Sequence, residues 1–204
     1  SGHPGIVLGA APIIYALYKD HLKVIPSKPD WINRDRFVMS AGHGSALLYS
    51  MHYHAGFHID LEELKHFREL NSLTPGHPEY RVTPGVDAST GPLGHGIGIA
   101  VGMAMAERYL NAIANIEKKN SEIIDYYIYC LCGDGDLMEG VSYEALSFAS
   151  TQNLNKLIIL YDCNKVSLDS DTTNTFTEDI EIRFEALDFN ILNVKNGNDY
   201  TEVS

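Results

Sequence analysis

The chain has 204 residues, a formal net charge of −12, and 45% hydrophobic and 21% charged residues. That length is one large domain able to bury a real core, and the composition is that of a soluble globular protein. The acidic balance and the lack of any Lys/Arg-rich run exclude nucleic acid as the main partner.

Ser-Gly-His-Pro-Gly opens the chain without an initiator Met, which reads as a piece of a longer protein, incomplete at both ends. Ile6 to Leu22 carries apolar residues at helical spacing. Its apolar run, Ile6 to Tyr18, contains Gly9 and Pro12 and lacks a basic leader. It is too short to span a membrane and does not read as a signal peptide, so no membrane role is expected. Arg36 to Ser40 is a short strand ending in a Gly-His-Gly turn, and Ala46 to His54 is a helix just after it. Leu61 to Leu70 is an amphipathic helix with Asp60 as its N-cap. Asn71 to Gly91 is rich in Pro, Gly and Thr and reads as a long loop of the kind that usually serves function. Gly94 to Tyr109 is a helix built on Gly96, Gly98, Ala100, Gly102, Ala104 and Ala106, so it can approach a neighbour closely.

Tyr126 to Cys132 is a buried-type strand, Val141 to Gln152 a helix, and Leu157 to Asp162 a second apolar strand. That is a β-α-β unit with parallel strands and a sheet covered on both faces. Cys130, Cys132 and Cys163 are three cysteines, an odd number that points to reduced thiols and a cytoplasmic setting. Cys130-x-Cys132 has no second pair with which to bind zinc.

Between the two strands lies "GDGDLMEG", which sets Asp134 between Gly133 and Gly135, with Asp136 and Glu139 close behind. Ligands of such sheets bind beyond the carboxyl ends of the strands. Asp134 follows one strand and Asn164 the other, so the two should converge. A carboxylate, an amide oxygen and the Val166 carbonyl make a hard oxygen set suited to Mg²⁺ or Ca²⁺. Glycine on both sides of Asp134 lets a phosphate approach the backbone. These residues point to a metal bridging a diphosphate to the protein.

"GDGDLMEG" followed by "YDCNKVS" resembles the thiamine diphosphate motif, and the chain as a whole resembles transketolase. "SGHPG", "RDRFVMSAGHGSALLYS", "TPGHPEY", "TPGVDASTGPLGHGIGIAVGMAMAE" and "FTEDIEIRFEAL" follow that family's pattern in order. The resemblance implies an α/β fold of three layers, helix, parallel sheet and helix, forming the diphosphate-binding domain over residues 1–204. It implies thiamine diphosphate and Mg²⁺ (or Ca²⁺) as cofactors, sugar phosphates as substrates, and transfer of a two-carbon glycolaldehyde unit from a ketose phosphate to an aldose phosphate. Asp134, Asn164 and the main-chain oxygen of Val166 match the metal ligands, and Gly135 a diphosphate contact. His43 matches a histidine near the phosphate, and Gly91, Pro92 and Leu93 line the cofactor rings. His3 and His77 match histidines facing substrate. Glu139 and Glu144 match acids at the interface of a homodimer whose active sites form between chains. His95 replaces the family's glutamine, either filling its hydrogen-bonding role or adding a titrating group. The acid-base residues that the family draws from its middle domain lie outside these residues, so this piece alone is expected to be inactive.

The remaining histidines carry less. His52, His54 and His58, at i, i+2 and i+6, do not share a helix face and make a poor zinc set. His21 and His66 read as surface residues. A close relative such as dihydroxyacetone synthase shares these motifs, and a non-catalytic diphosphate-binding subunit is the alternative from another class. His3, His43 and His77 favour an enzyme.

Overall fold

The computed structural model describes residues 2–115, 123–164, 166–167 and 170–204. Strands β1 (Arg36–Met39), β2 (Ile128–Gly133) and β3 (Leu157–Asp162) lie side by side in that order, all parallel. The pleat divides the core between two faces. Tyr129 and Leu131 of β2, with Phe37 and Met39 of β1, meet α1 (Pro4–Gly9), α2 (Ala11–Ala16) and α3 (Ser45–Ala55) through Ile6, Ile14, Leu47 and Leu48. Ile128, Cys130 and Cys132 face the other way. They meet Ile97, Ala100 and Ala104 of α5 (His95–Ala114) and Leu146 and Ala149 of α7 (Gly140–Thr151). The three-layer α/β arrangement expected from the sequence is therefore present. Each fully buried Ile or Leu here contributes roughly 1.5–3 kcal/mol.

Local chemistry explains where the elements differ from expectation. The first helical stretch is broken after Gly9, and Pro12 enters the first turn of α2, where its missing N–H costs nothing. The chain then widens into a π-helical turn at Leu17–His21. Asp60 caps α4 (Leu61–Lys65) as expected, accepting from the Glu63 N–H at 2.7 Å. That helix ends well before Leu70, and the chain beyond it turns through positive φ of 68° at Arg68 and 66° at Asn71. Glu63 instead captures the Ser72 hydroxyl and the Leu73 N–H of the following loop. Of the small residues on α5, Gly96 packs so closely that a Cβ there would collide with the Ser40 backbone. Gly102 and Ala106 face outward and serve no such contact.

Residues 71–91 form neither helix nor strand. They are nonetheless fixed along their length. Tyr49 donates its hydroxyl to the Pro75 and His77 carbonyls, and Ser45 donates to Gly76. Thr90 donates to the Met39 carbonyl at 2.7 Å. Asp87 grips the Arg34 guanidinium with both oxygens and accepts the Phe37 N–H at 2.9 Å. The loop is thus tied to the end of β1 and to α3.

α6 (Asp134–Met138) follows β2 directly, and the short hairpin of β4 (Val166–Ser167) and β5 (Ser170–Asp171) follows β3. α8 (Ile180–Ala186) adds Phe184 to the α5/α7 core, and α9 (Tyr200–Val203) packs on α2. Among the described residues no helix is long and apolar enough to cross a membrane.

Candidate active site

The carboxyl ends of the strands bring the candidate residues to one edge of the sheet. Gly133 pairs with Asp162 in the β2–β3 register, so Asp134 and Asn164 leave the sheet beside each other. α6 lies against β4, which carries Val166. Asp134 is 4% exposed and its carboxylate accepts the Tyr161 hydroxyl. Burial, and then that bond, hold the phenol far above its usual range. Asn164 donates through Nδ2 to Asp162 at 3.3 Å. Burial raises the Asp162 carboxyl; the Asn164 amide opposes this and the negative Asp134 adds to it. One buried carboxylate, one exposed amide and a main-chain carbonyl thus share an edge. Among the described residues no group of three His, Cys, Asp or Glu side chains is placed to hold a metal. A cation here would draw on mixed oxygen donors, the chemistry that suits Mg²⁺ or Ca²⁺. A Cβ on Gly133 would meet no atom within 4 Å, so the space before the turn is open to a ligand.

The glycines expected to line the cofactor close around this turn. A Cβ on Gly42 would stand 2.8 Å from the Gly91 nitrogen, so only glycine lets these backbones meet. Gly91 adopts φ +149°, and a Cβ on it would stand 3.3 Å from the His77 ring. Leu93 reaches over to Gly135, where a Cβ would lie 3.1 Å from its Cδ1. Pro92 and Leu93 are exposed at this edge.

The histidines gather on the same side. The His3 and His43 rings are 5.2 Å apart, edge to face. Burial lowers the His43 pKa below its usual value; His3 lowers it further, Asp136 opposes, and His77 lowers it again. His43 is therefore held toward the neutral imidazole, which carries one donor and one acceptor nitrogen. His3 and His77 are exposed. His95 donates through Nδ1 to the Leu93 carbonyl at 3.2 Å, a hydrogen-bonding role within the 91–95 turn. Glu139 and Glu144 are exposed at and after the start of α7, and Glu139 lies close to Gly94, where a Cβ would stand 2.7 Å from its own.

Three residues to which the sequence assigned no role complete the setting. Ser40, just past β1, donates to the Asp136 carboxylate, and Ser142 of α7 donates to the Asp136 main-chain oxygen. Their only sequence signal is that Asp136 stands three residues after Gly133, the spacing of one arm of a capping box. His52 of the discounted zinc set is buried between the Tyr18 hydroxyl at 2.9 Å and the Pro84 carbonyl at 3.0 Å. His54 and His58 are exposed, and so are His21 and His66.

A polar cleft of about 500 Å³ lies at the opposite end of the sheet, lined by Glu107, Asn111, Asp125 and Lys156 among others. Its charges are matched, Lys156 bonding Glu107 at 2.8 Å and also Asp125. It lies at the amino ends of the strands and shares none of the candidate residues.

A family profile described as "Transketolase, thiamine diphosphate binding domain" matches residues 1–204. A transketolase of Halalkalibacterium halodurans is 53% identical over 204 residues, covering 100% of this chain and 30% of that one. The fold is similar to a transketolase from Leishmania mexicana, with TM-score 0.96 and 48% identity over 100% of this chain and 30% of that one. It is similar also to a transketolase of Pichia stipitis in complex with sedoheptulose-7-phosphate, with TM-score 0.95 and 45% identity over the same shares. The chain spans about 30% of the length of the relatives it matches.

Proposed function

The chain belongs to the transketolase family, as its thiamine diphosphate-binding domain, and on that premise we propose that it is the diphosphate-side half of an enzyme transferring a two-carbon unit from a ketose phosphate to an aldose phosphate. The observation that carries this reading is the edge where Asp134 and Asn164 leave paired strands beside Gly91, Gly135 and His43. Thiamine diphosphate, when bound, supplies the carbanion chemistry; the protein supplies position and electrostatics.

Asp134, Asn164 and the Val166 main-chain oxygen would hold Mg²⁺ (or Ca²⁺), and Gly135 would let diphosphate oxygens approach the backbone. His43, kept toward neutrality by burial, donates a hydrogen bond near the phosphate without adding a full positive charge. Gly91, Pro92 and Leu93 line the ring end. His3 and His77, exposed at the mouth, donate protons to substrate oxygens where alkoxide character develops. Glu139 and Glu144 lie on the exposed side of α7, where a second copy of the chain would close the active site in a cytoplasmic homodimer.

The full-length protein tests the reading when given a ketose phosphate donor and an aldose phosphate acceptor. Transfer is expected only with both thiamine diphosphate and Mg²⁺, and none from residues 1–204 alone. Transfer that persists after exhaustive removal of thiamine diphosphate, or none at all with both present, would overturn it.

A further inference from the structure

Asp136 is 1% exposed, and its carboxylate accepts three hydrogen bonds from three segments. Oδ1 takes the Ser40 hydroxyl, just past β1, at 2.6 Å and the Gly94 N–H, just before α5, at 2.9 Å. Oδ2 takes the Gly133 N–H, at the end of β2, at 3.1 Å. Its main-chain oxygen accepts the Ser142 hydroxyl of α7 at 2.5 Å. A carboxylate with three donors has most of its acceptor capacity filled, and removing it strands each donor inside the core.

Capping explains only part of this. An acidic third residue reaching back to the N-cap N–H is one arm of a capping box, and Gly133 has no side chain to supply the other. The bonds to Ser40 and Gly94 reach 96 and 42 residues along the chain, to segments that α6 does not need for its own start. The Gly94 end is tightly confined. Its φ is +76°, and a Cβ there would stand 2.7 Å from the Glu139 Cβ and 2.8 Å from the Ser142 hydroxyl. Directly before it, Leu93 lies against Gly135. One carboxylate therefore links the 91–94 segment to the Asp134–Gly135 turn and anchors both to β1.

We propose that Asp136 is a positioning residue that sets the distance between the turn holding the metal and diphosphate and the 91–93 segment lining the cofactor rings. This rests on the cofactor reading above. Asp136 touches neither cofactor nor substrate, and it acts through Gly94 and Gly133. A ligand that spans both segments should feel its loss more than one that uses the turn alone.

The test compares two probes on the full-length protein by calorimetric titration: thiamine diphosphate with Mg²⁺, and inorganic pyrophosphate with Mg²⁺. In Asp136→Ala the affinity for thiamine diphosphate is expected to fall about 10-fold more than that for pyrophosphate, the scale of stranding one or two buried donors. Ser40→Ala, which removes only the β1 anchor, should shift the same ratio the same way by roughly threefold. It decides the matter if the Asp136 variant does not fold. Equal losses for both probes make Asp136 a helix-start residue and overturn the proposal, as do unchanged affinities. Wild-type protein that binds neither probe overturns the cofactor reading itself, whereas normal wild-type binding with an unshifted ratio overturns only the role of Asp136.

Discussion

The Tyr161 hydroxyl, on β3, donates to the carboxylate of Asp134 at the end of β2. The strand that follows the helix thus orients a side chain of the strand before it, at the edge where a cation would be held. Asp134→Ala in the full-length protein is expected to abolish metal-dependent binding of thiamine diphosphate. Tyr161→Phe, which removes only the orienting hydroxyl, should weaken Mg²⁺ affinity about 10-fold, the lower end for partners of metal ligands. Titrations with and without Mg²⁺ read both. Unchanged affinity in the Asp134 variant would place the metal elsewhere.

His52 gives a pH dependence whose sign is fixed. Burial first, opposed by its bond to Pro84, pushes its pKa down to about 3, against an ordinary value of 6.5. The unfolded chain therefore binds one proton more than the folded one between those limits. Stability is fully present above pH 6.5 and falls as pH drops toward 3, by about 1.4 kcal/mol per pH unit. Between pH 6.5 and pH 5 the loss is roughly 2 kcal/mol. His52→Gln, neutral throughout, should lose that component. Urea unfolding of both proteins at pH 7 and pH 5 checks the difference; equal pH dependence would mean that His52 is solvated in the folded state.

The same residue marks where sequence reading stops. The β-α-β unit was legible because its signals are local: two apolar runs, a helix between them, and glycines where a ligand must approach. Leu157–Asp162 is a strand as read, and Gly140–Thr151 a helix within a residue of its expected bounds. The positions of Asp134 and Asn164 beside each other follow from that unit alone. What closes the site is not local. Thr90 and Met39 meet across 51 residues, and Ser40 and Asp136 across 96. No periodicity announces such partners, because each depends on which loop the fold returns to the strand edge. His52 looked like part of an unconvincing zinc set because its real partners, Tyr18 and Pro84, are 34 and 32 residues away.

His77→Ala in the full-length enzyme should slow turnover, or raise KM, while cofactor affinity stays nearly intact. The His77 ring lies beside Gly91 and its main-chain carbonyl is held by Tyr49, so the loop keeps its shape without the imidazole. Losing one positioned proton donor typically costs about 10²–10⁴-fold in rate. Steady-state kinetics beside a cofactor titration separate the roles. Weak cofactor binding with normal turnover at saturation would assign His77 to the cofactor and not to substrate.

Glu139→Gln distinguishes an interface from a helix start. Glu139 is the N-cap of α7, with φ −72° and ψ 137°, yet its side chain makes no capping hydrogen bond. A charge at that position still gains from the helix dipole, by roughly 0.3–1 kcal/mol. If that were its whole role, the variant would lose only a degree or two of melting temperature and remain a fully active dimer. The side chain is exposed and the next exposed acid on α7 is Glu144, so both carboxyls face outward. Against a second copy, each would have to meet a donor or share a proton. Stranding such a partner costs about 1–3 kcal/mol, more if it is charged, which is about 5- to 150-fold in the dimerisation constant. Sedimentation equilibrium and activity of full-length Glu139→Gln should therefore show a weakened dimer and a loss of activity that recovers as protein concentration rises. A variant that stays dimeric and fully active at the lowest concentration would make Glu139 a helix-start residue, and the interface would then lie on another face.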